Sequence, residues 1–589
     1  MAELCGLALV LGAIVLNQRT LGFGFLYLRD DDLNIALNPH MGRPTAERLA
    51  WMFTNFSYVR RYIPLGWLNF SATYEVAGLD PGPYHAVGLA FYALNCGLVF
   101  VVLMQLLRMF RGATAVGIGT WEAAAAALAA GWWAFHPLRV ETTAWASGNL
   151  YGQATALFLM ALVAYLRSYE LSGGCRTAVL WVSALFFAAS LLTYPVALGT
   201  PVILVGIDWL QSRTGIGPPM RRLLAEKLLF LVPVAGVLAV TLAARFASTQ
   251  VFGEVPGLRE LPLASRLAQS AYVAAYFVWK PWVPLHLSPL YDALVDFHAT
   301  DPVMVLSMAA VAAVSVAAVV TFKRAPVLAV VWFGYLAALA PYFGLTEKPH
   351  MASDRYGCLV TVIEAAVLAA AVARIASPRA RAWAVAASLC VVAVLGCMTH
   401  RQLRVWTDDR VQHAYVAANL TNRELLDDFQ SRQLILEFLR GNEAEATEAV
   451  AARLKADPDI PGFRKAAVII AGKQKMKGYF GSATYLEILQ EQMGLGFARE
   501  GSLREANDHL ADALSGDDRF YQAAYDRSLV LLDLGRPEDA LGCFLQADRW
   551  APSGLPSIQR HAFLARLRDA AKAQRKPGLA HAADHALAR

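Results

Sequence analysis

The sequence predicts an all-α protein: a polytopic membrane helix bundle over residues 1–400, followed by a water-soluble helical domain over residues 401–589. Three observations predict it. Of 589 residues 57% are hydrophobic and only 17% are charged, which is more apolar surface than a soluble core uses. The apolar residues come in blocks of roughly 15–22, close to the ~20 that a helix needs to cross ~30 Å of hydrocarbon. From about His400 these blocks stop, and an Ala/Leu/Glu/Arg-rich pattern with helical period replaces them.

The first block, residues 4–16, has no basic segment before it and no small-residue cleavage site after it, so it reads as a membrane helix rather than a cleaved leader. Its shortness suggests a start codon further upstream. Residues 18–83 are too charged to cross and too rich in Trp, Phe and Tyr for a plain linker, so a long outer loop lying partly in the interface is expected. Further blocks occupy 84–107, 123–135, 151–165, a hairpin over 178–210 broken at Thr193-Tyr194-Pro195, and then 228–244, 303–322, 325–345, 357–373 and 383–398. The total is about eleven spans. Lys and Arg set the orientation: Arg108 and Arg111, Arg167 and Arg176, Arg213 to Lys227, Lys323 and Arg324, and Arg374 to Arg381 mark the cytoplasmic side. That parity places the amphipathic stretch 266–287, with Lys280, along the outer interface, and the tail outside.

A net charge of +6 scattered near helix ends excludes a nucleic-acid surface. The seven cysteines form no CxxC pair and lack a neighbouring His at ligand spacing, so no metal centre is assigned to them. In the tail, Gly501, Ala506, Leu510 and Ala513 recur 34 residues later as Gly535, Ala540, Phe544 and Ala547, with Pro552 at the closing position. That is the tetratricopeptide period, and Gly441 with Ala446 suggests an earlier degenerate copy. A generic helical bundle is the alternative.

Charged residues beside membrane helices are costly unless solvated or paired, so clusters there are functional candidates. Three fall on the outer side. Arg29-Asp30-Asp31-Asp32 follows the first span, with Asn38-Pro39-His40 behind it. Adjacent carboxylates repel, which can raise one pKa toward that of a general base, and they can also bind a divalent cation. The bland alternative is a solvated loop. His136-Pro137-Leu138-Arg139-Val140-Glu141, with Trp145, forms the second cluster and can equally be an interfacial anchor. The third joins Glu347-Lys348-Pro349-His350 to Ser353-Asp354-Arg355-Tyr356, where an Asp-Arg pair reads as structural or as a phosphate receptor.

In order along the chain, these motifs, Tyr84-His85 and the tetratricopeptide-like tail resemble one family. It comprises the transmembrane-and-tetratricopeptide O-mannosyltransferases and their bacterial relatives, within the GT-C glycosyltransferase superfamily. The resemblance implies an inverting enzyme that takes a sugar from a polyprenyl-phosphate carrier on the non-cytoplasmic face, the periplasmic side of a bacterial inner membrane. It also implies that the acidic pair after the first span is catalytic, carried onto Asp30 and Asp31 with Asp32 third. Arg355, Lys280, Arg139 and His350 are then the candidates for the donor phosphate, and His85, His136, Glu141 and Asp354 support them. Gly148-Asn149-Leu150-Tyr151 departs from the Arg and Asp that relatives often carry there, and Tyr356-Gly357-Cys358 departs from a Tyr-x-Tyr continuation. The partners expected are the bilayer, the lipid-linked sugar, and a protein or glycan acceptor met through the tail; no bound cofactor is assigned, and a divalent metal stays open. A lipid-linked-sugar transporter and a non-catalytic membrane-anchored assembly platform are the alternatives.

Overall fold

The computed structural model describes residues 2–587 except 37, 39, 57, 110–118, 214–218, 248–254, 346–351, 461, 465, 468–469, 471–489, 492–493, 496, 499–500, 517, 552–554 and 556. All regular elements among the described residues are helical. The chain divides into two compact units, Met1–Tyr27 with Arg43–Asn422, and Leu28–Gly42 with Arg423–Arg589.

The first unit contains α1 (Ala2–Asn17), α2 (Ala46–Thr54), α3 (Pro64–Ala77), α4 (Pro81–Met109), α5 (Thr120–Ala134), α6 (Val140–Ala144), α7 (Asn149–Ser168), α8 (Gly173–Thr193) and α9 (Thr200–Ser212). It continues through α10 (Met220–Glu226), α11 (Leu228–Ala247), α12 (Leu263–Trp279), α13 (Pro302–Val320), α14 (Pro326–Leu339), α15 (Gly357–Ala373), α16 (Pro378–Leu403) and α17 (Asp409–Asn419). Eight helical stretches among the described residues are long and apolar enough to cross a membrane. Their outward faces are apolar: Leu185, Val232, Leu306, Val320 and Leu389 are exposed, as lipid-facing residues must be. Pro326–Tyr342 is apolar but shorter.

The hairpin expected at 178–210 is α8 and α9. α8 ends at Thr193, one residue before the extended Tyr194 that Pro195 imposes. At Gly199 a Cβ would lie 1.9 Å from the Ala337 carbonyl oxygen, so only glycine lets α9 begin against the backbone of α14. A stripe of alanines on α5, Ala126, Ala129 and Ala130, is fully buried and lets α1, α4 and α15 approach closely. The stretch read as an outer loop carries α2 and α3. Thr45 Oγ1 caps α2 by accepting the Arg48 N–H, and Trp67, Phe70 and Tyr74 bury one side of α3. The stretch read as an interfacial 266–287 segment is α12 and the turn after it.

In the second unit lie α18 (Arg423–Leu439), α19 (Glu443–Ala456), α20 (Leu503–Gly516), α21 (Tyr521–Asp533), α22 (Pro537–Trp550), α23 (Ser557–Ala573) and α24 (Pro577–Leu587). Gly441, Gly501 and Gly535 all have positive φ in the turns before α19, α20 and α22. The repeated apolar positions Ala506, Leu510, Ala513, Ala540, Phe544 and Ala547 are all buried, and Phe544 stacks on Phe563 at 4.1 Å. Pro552 lies outside the described residues.

Candidate active site

The His136–Trp145 stretch leaves α5 through a single 3-10 turn, Pro137–Arg139, and enters the short α6. Proline at the second position of this motif sets that turn. His136 closes it: its Nδ1 accepts the Leu138 N–H at 3.1 Å, while Nε2 donates to the Pro281 carbonyl at 2.7 Å. Those bonds define a neutral imidazole. Burial first, then the positive charge of Arg139, lower its pKa to about 3 against the Pro281 carbonyl. His136 therefore ties the end of α5 to the loop after α12 and is not a proton carrier near neutral pH.

Two residues beyond Arg139, Glu141 is 2% exposed and meets Arg355. Its Oε1 pairs with Arg355 Nη1 at 2.5 Å, and Oε2 accepts the backbone N–H of Arg355 at 2.9 Å. Arg355 Nε donates to the Tyr151 hydroxyl at 3.1 Å, and the guanidinium lies 5.5, 5.5 and 5.0 Å from the rings of Trp145, Tyr151 and Tyr356. Tyr151 belongs to the stretch where the sequence departs from the pattern of the family it resembles, so that departure builds part of the site. Gly148, at the head of α7, is needed there: a Cβ would fall 2.8 Å from the Trp145 ring and 3.1 Å from the Glu141 carbonyl.

Asp354 is buried beside this pair and accepts from the hydroxyls of Tyr291 at 2.9 Å and Tyr276 at 3.4 Å. Lys280 donates to the Leu285 carbonyl at 2.6 Å, and its ammonium sits 5.2 to 5.8 Å from the rings of Trp279, Tyr276 and Tyr291. Burial lowers the Lys280 pKa below its ordinary value, with Asp354 acting in the opposite direction. Arg139 is different. It is 1% exposed, its guanidinium lies 5.2 Å from the Trp133 ring, and none of its three nitrogens has a hydrogen-bond partner among the described residues. Its polar neighbours include the Cys358 thiol, a weak acceptor, and the Glu364 carboxyl on α15, whose charge interacts with that of Arg139. Its Nη2 would lie 3.1 Å from a Cβ at Gly357, at the start of α15.

The second and third motifs thus converge. Glu141, Asp354 and Arg355 join directly, and Lys280, His136 and Arg139 surround them. His85 instead lies in the first turns of α4, with Nε2 3.4 Å from the Gly24 carbonyl and its ring edge-on to Phe23. Glu347, Lys348, Pro349 and His350 lie outside the described residues. Asp30, Asp31 and Asp32 belong to the second unit. There Asp30 has φ 73°, a left-handed backbone, and its carbonyl accepts the Asn34 N–H at 2.8 Å. Asp31 is fully buried, Asp32 opens a turn of π-helix, Asp32–Ala36, and the Asn38 side chain accepts the His40 N–H at 3.0 Å. Left-handed non-glycine residues and π-turns recur at functional sites. Among the described residues no group of three or more His, Cys, Asp or Glu side chains is arranged to hold a metal ion.

Sequence reasoning missed a second buried network. Lys227 Nζ pairs with Asp208 Oδ2 at 2.5 Å, and Asp208 Oδ1 accepts from the hydroxyls of Tyr165, at 2.6 Å, and Tyr169. Close by in sequence, Arg176 holds Glu226 through both guanidinium nitrogens. An acid and a lysine inside or beside apolar runs were the available signal. The groups partner one another, which marks this end of α7, α9 and α11 as a structural latch. Tyr151, Tyr276 and Tyr291, which hold Arg355 and Asp354, carried no signal of their own.

No family model and no solved structure matches the chain. It is similar to the protein O-mannosyl-transferase tmtc2 of Xenopus laevis, 29% identical over 186 residues. The match covers 30% of this chain and 20% of that protein, so the chain spans about a fifth of the length of the curated relative it matches.

Proposed function

We propose that the chain is a membrane glycosyltransferase that moves a sugar from a polyprenyl-phosphate donor to a protein or glycan hydroxyl on the non-cytoplasmic face, with inversion. The similarity to an O-mannosyl-transferase supports the reaction class. The observation that carries the donor class is Arg139: a guanidinium that is 1% exposed and, among the described residues, has no hydrogen-bond partner stronger than the Cys358 thiol costs several kcal/mol to keep unless an anion completes it. Arg355 is already held by Glu141 and Tyr151, and Lys280 by a carbonyl and three rings. Arg139 therefore moves ahead of both as the residue that receives the phosphate, with Arg355 fixing the turn beside it. Preorganised positive charge in a dry site is where a departing phosphate is stabilised most.

In this reading the acceptor hydroxyl attacks the anomeric carbon, the bond from that carbon to the polyprenyl-phosphate oxygen breaks, and the phosphate leaves with the electron pair. The hydroxyl proton goes to the carboxylate of Asp30 or Asp31, with Asp32 third. The left-handed backbone at Asp30 and the burial of Asp31 support a built site in that segment. The helical tail, which carries the tetratricopeptide-like period, selects the acceptor. The test is to purify the full-length protein with its native lipids and identify bound species by mass spectrometry. A polyprenyl phosphate, lost in Arg139→Met, is the expected result; its absence from the wild-type protein favours the assembly-platform reading.

A further inference from the structure

The loop after α12 serves two ends at once. Tyr291 donates its hydroxyl to Asp354 Oδ1 at 2.9 Å and accepts the Ser288 N–H at 2.9 Å. The next residue, Asp292, uses one oxygen, Oδ2, to accept the Thr421 N–H at 2.6 Å, the Thr421 hydroxyl at 2.9 Å and the Asn422 N–H at 2.7 Å. Asn422 is followed directly by Arg423, the first residue of α18. The same loop offers the Leu287 carbonyl to the Tyr415 hydroxyl at 2.9 Å and to the Gln402 side chain at 3.3 Å. Burial alone would raise the Asp292 pKa, but the N–H groups of Asn422 and Thr421 and the Thr421 hydroxyl outweigh it and hold it below the usual carboxylate value. Asp292 is therefore a charged acceptor at neutral pH, and charge-assisted bonds of this kind are the strong ones.

We infer that Tyr291 and Asp292 are positioning residues that couple the entry into the C-terminal helices to the Asp354-Arg355 turn. The path is Asn422, Asp292, Tyr291, Asp354, Arg355, Glu141, and each step is a hydrogen bond, an ion pair or a chain neighbour. There is little slack in it. Consecutive Cα atoms are 3.8 Å apart whatever the loop does, so a displacement of Asp292 is handed to Tyr291. A hydroxyl bond of 2.9 Å is out of range after a shift of ~0.6 Å. Arg355, next in the chain to Asp354, is held to Glu141 by its own N–H, so loss of the Tyr291 bond reaches the ion pair through one peptide unit. A displacement of the chain at 421–422 would then alter how the site presents its charges, a role that a packing staple confined to 420–422 would not have.

The coupling needs no assumption about the sugar transferred, and its test reads no activity, so its failure and that of the proposed function are separable. Amide hydrogen exchange would be followed by mass spectrometry in the full-length protein in nanodiscs, for the wild type, Asp292→Ala, Asp292→Asn and Tyr291→Phe. Asp292→Ala is expected to speed exchange about tenfold both at 421–425 and at 354–357. Asp292→Asn keeps a carbonyl acceptor and should restore most of the protection at both places. Tyr291→Phe should speed exchange at 354–357 and, because coupling is reciprocal, at 421–425 to a lesser degree. The inference is overturned if Asp292→Ala loosens 421–425 alone, or if Tyr291→Phe leaves 354–357 unchanged.

Discussion

Replacing Arg139 by methionine should move resting stability and donor affinity in opposite directions. The side chain is 1% exposed, its three nitrogens lack hydrogen-bond partners among the described residues apart from the weak Cys358 thiol, and its other compensation there is the Trp133 ring at 5.2 Å and the charge interaction with the Glu364 carboxyl. A desolvated cation–π contact contributes about 2 kcal/mol, whereas removing a guanidinium from water costs several. Methionine fills a similar volume without the charge, so Arg139→Met should stabilise the ligand-free protein by about 1–3 kcal/mol, by analogy with buried ions exchanged for apolar residues. In a thermal melt of the protein in nanodiscs that is a rise of a few degrees. Binding of a short-chain polyprenyl phosphate, followed as a further thermal shift, should fall by a factor of about ten or more, since a charge-assisted bond to phosphate is lost. A lowered melting temperature would mean that Arg139 already has a structural partner. Unchanged binding of the phosphate would refute its role as the receptor.

Glu141→Gln should act the other way, destabilising the first unit by roughly 1–3 kcal/mol because it strands the half-buried Arg355 charge, and Glu141→Gln with Arg355→Met should recover much of that loss in the same melt. Asp30→Asn and Asp31→Asn, made separately, should leave membrane insertion intact, and one of them should lower sugar transfer by ~10²–10⁴-fold; normal transfer in the double variant would reduce the acidic segment to a loop. In the second unit, burial and then Glu491 raise the Asp526 pKa to about 8. The folded state therefore holds a proton that the unfolded chain releases near its ordinary value of about 4. Stability from this group is full below about 4 and is lost as pH rises toward 8, at up to ~1.4 kcal/mol per pH unit. Exchange protection in α21 should fall between pH 6 and 8, and Asp526→Asn should flatten that slope. Reporter fusions should place residues 18–83 and the chain beyond Arg401 outside and the loop at Arg221 inside; a cytoplasmic tail would contradict the lysine and arginine distribution.

How legible each feature was depended on whether its cause is local. The break before Pro195 and the start of α15 at Gly357 were readable because proline geometry and an apolar run of membrane length act within a few residues. α3 was not, since its buried Trp67, Phe70 and Tyr74 alternate with polar residues in a segment whose charge argued for a loop. The three charged motifs were visible, but their pairing was not: Glu141 and Arg355 are 214 positions apart, and periodicity carries no information at that range. Ranking Arg139 above Arg355 required knowing which cation already has a partner, a tertiary fact. The membership of Leu28–Gly42 in the unit of the C-terminal helices likewise leaves no trace in composition, and the division after Asn422 falls beyond the compositional change near His400 because α17 is polar yet tied to Tyr27 and Leu287.

The reaction itself can be measured directly. Purified full-length protein would be incubated with a panel of short-chain polyprenyl-phosphate sugars and with hydroxyl-bearing peptide and glycan acceptors, and the products read by mass spectrometry and by the anomeric configuration of the new linkage. The expected result is one inverted glycosidic bond formed for each polyprenyl phosphate released, abolished by the Asp30/Asp31 double substitution. Donor that binds at Arg139 and crosses the bilayer with its sugar uncleaved, whatever acceptor is offered, would contradict transfer and leave a lipid-linked-sugar transporter.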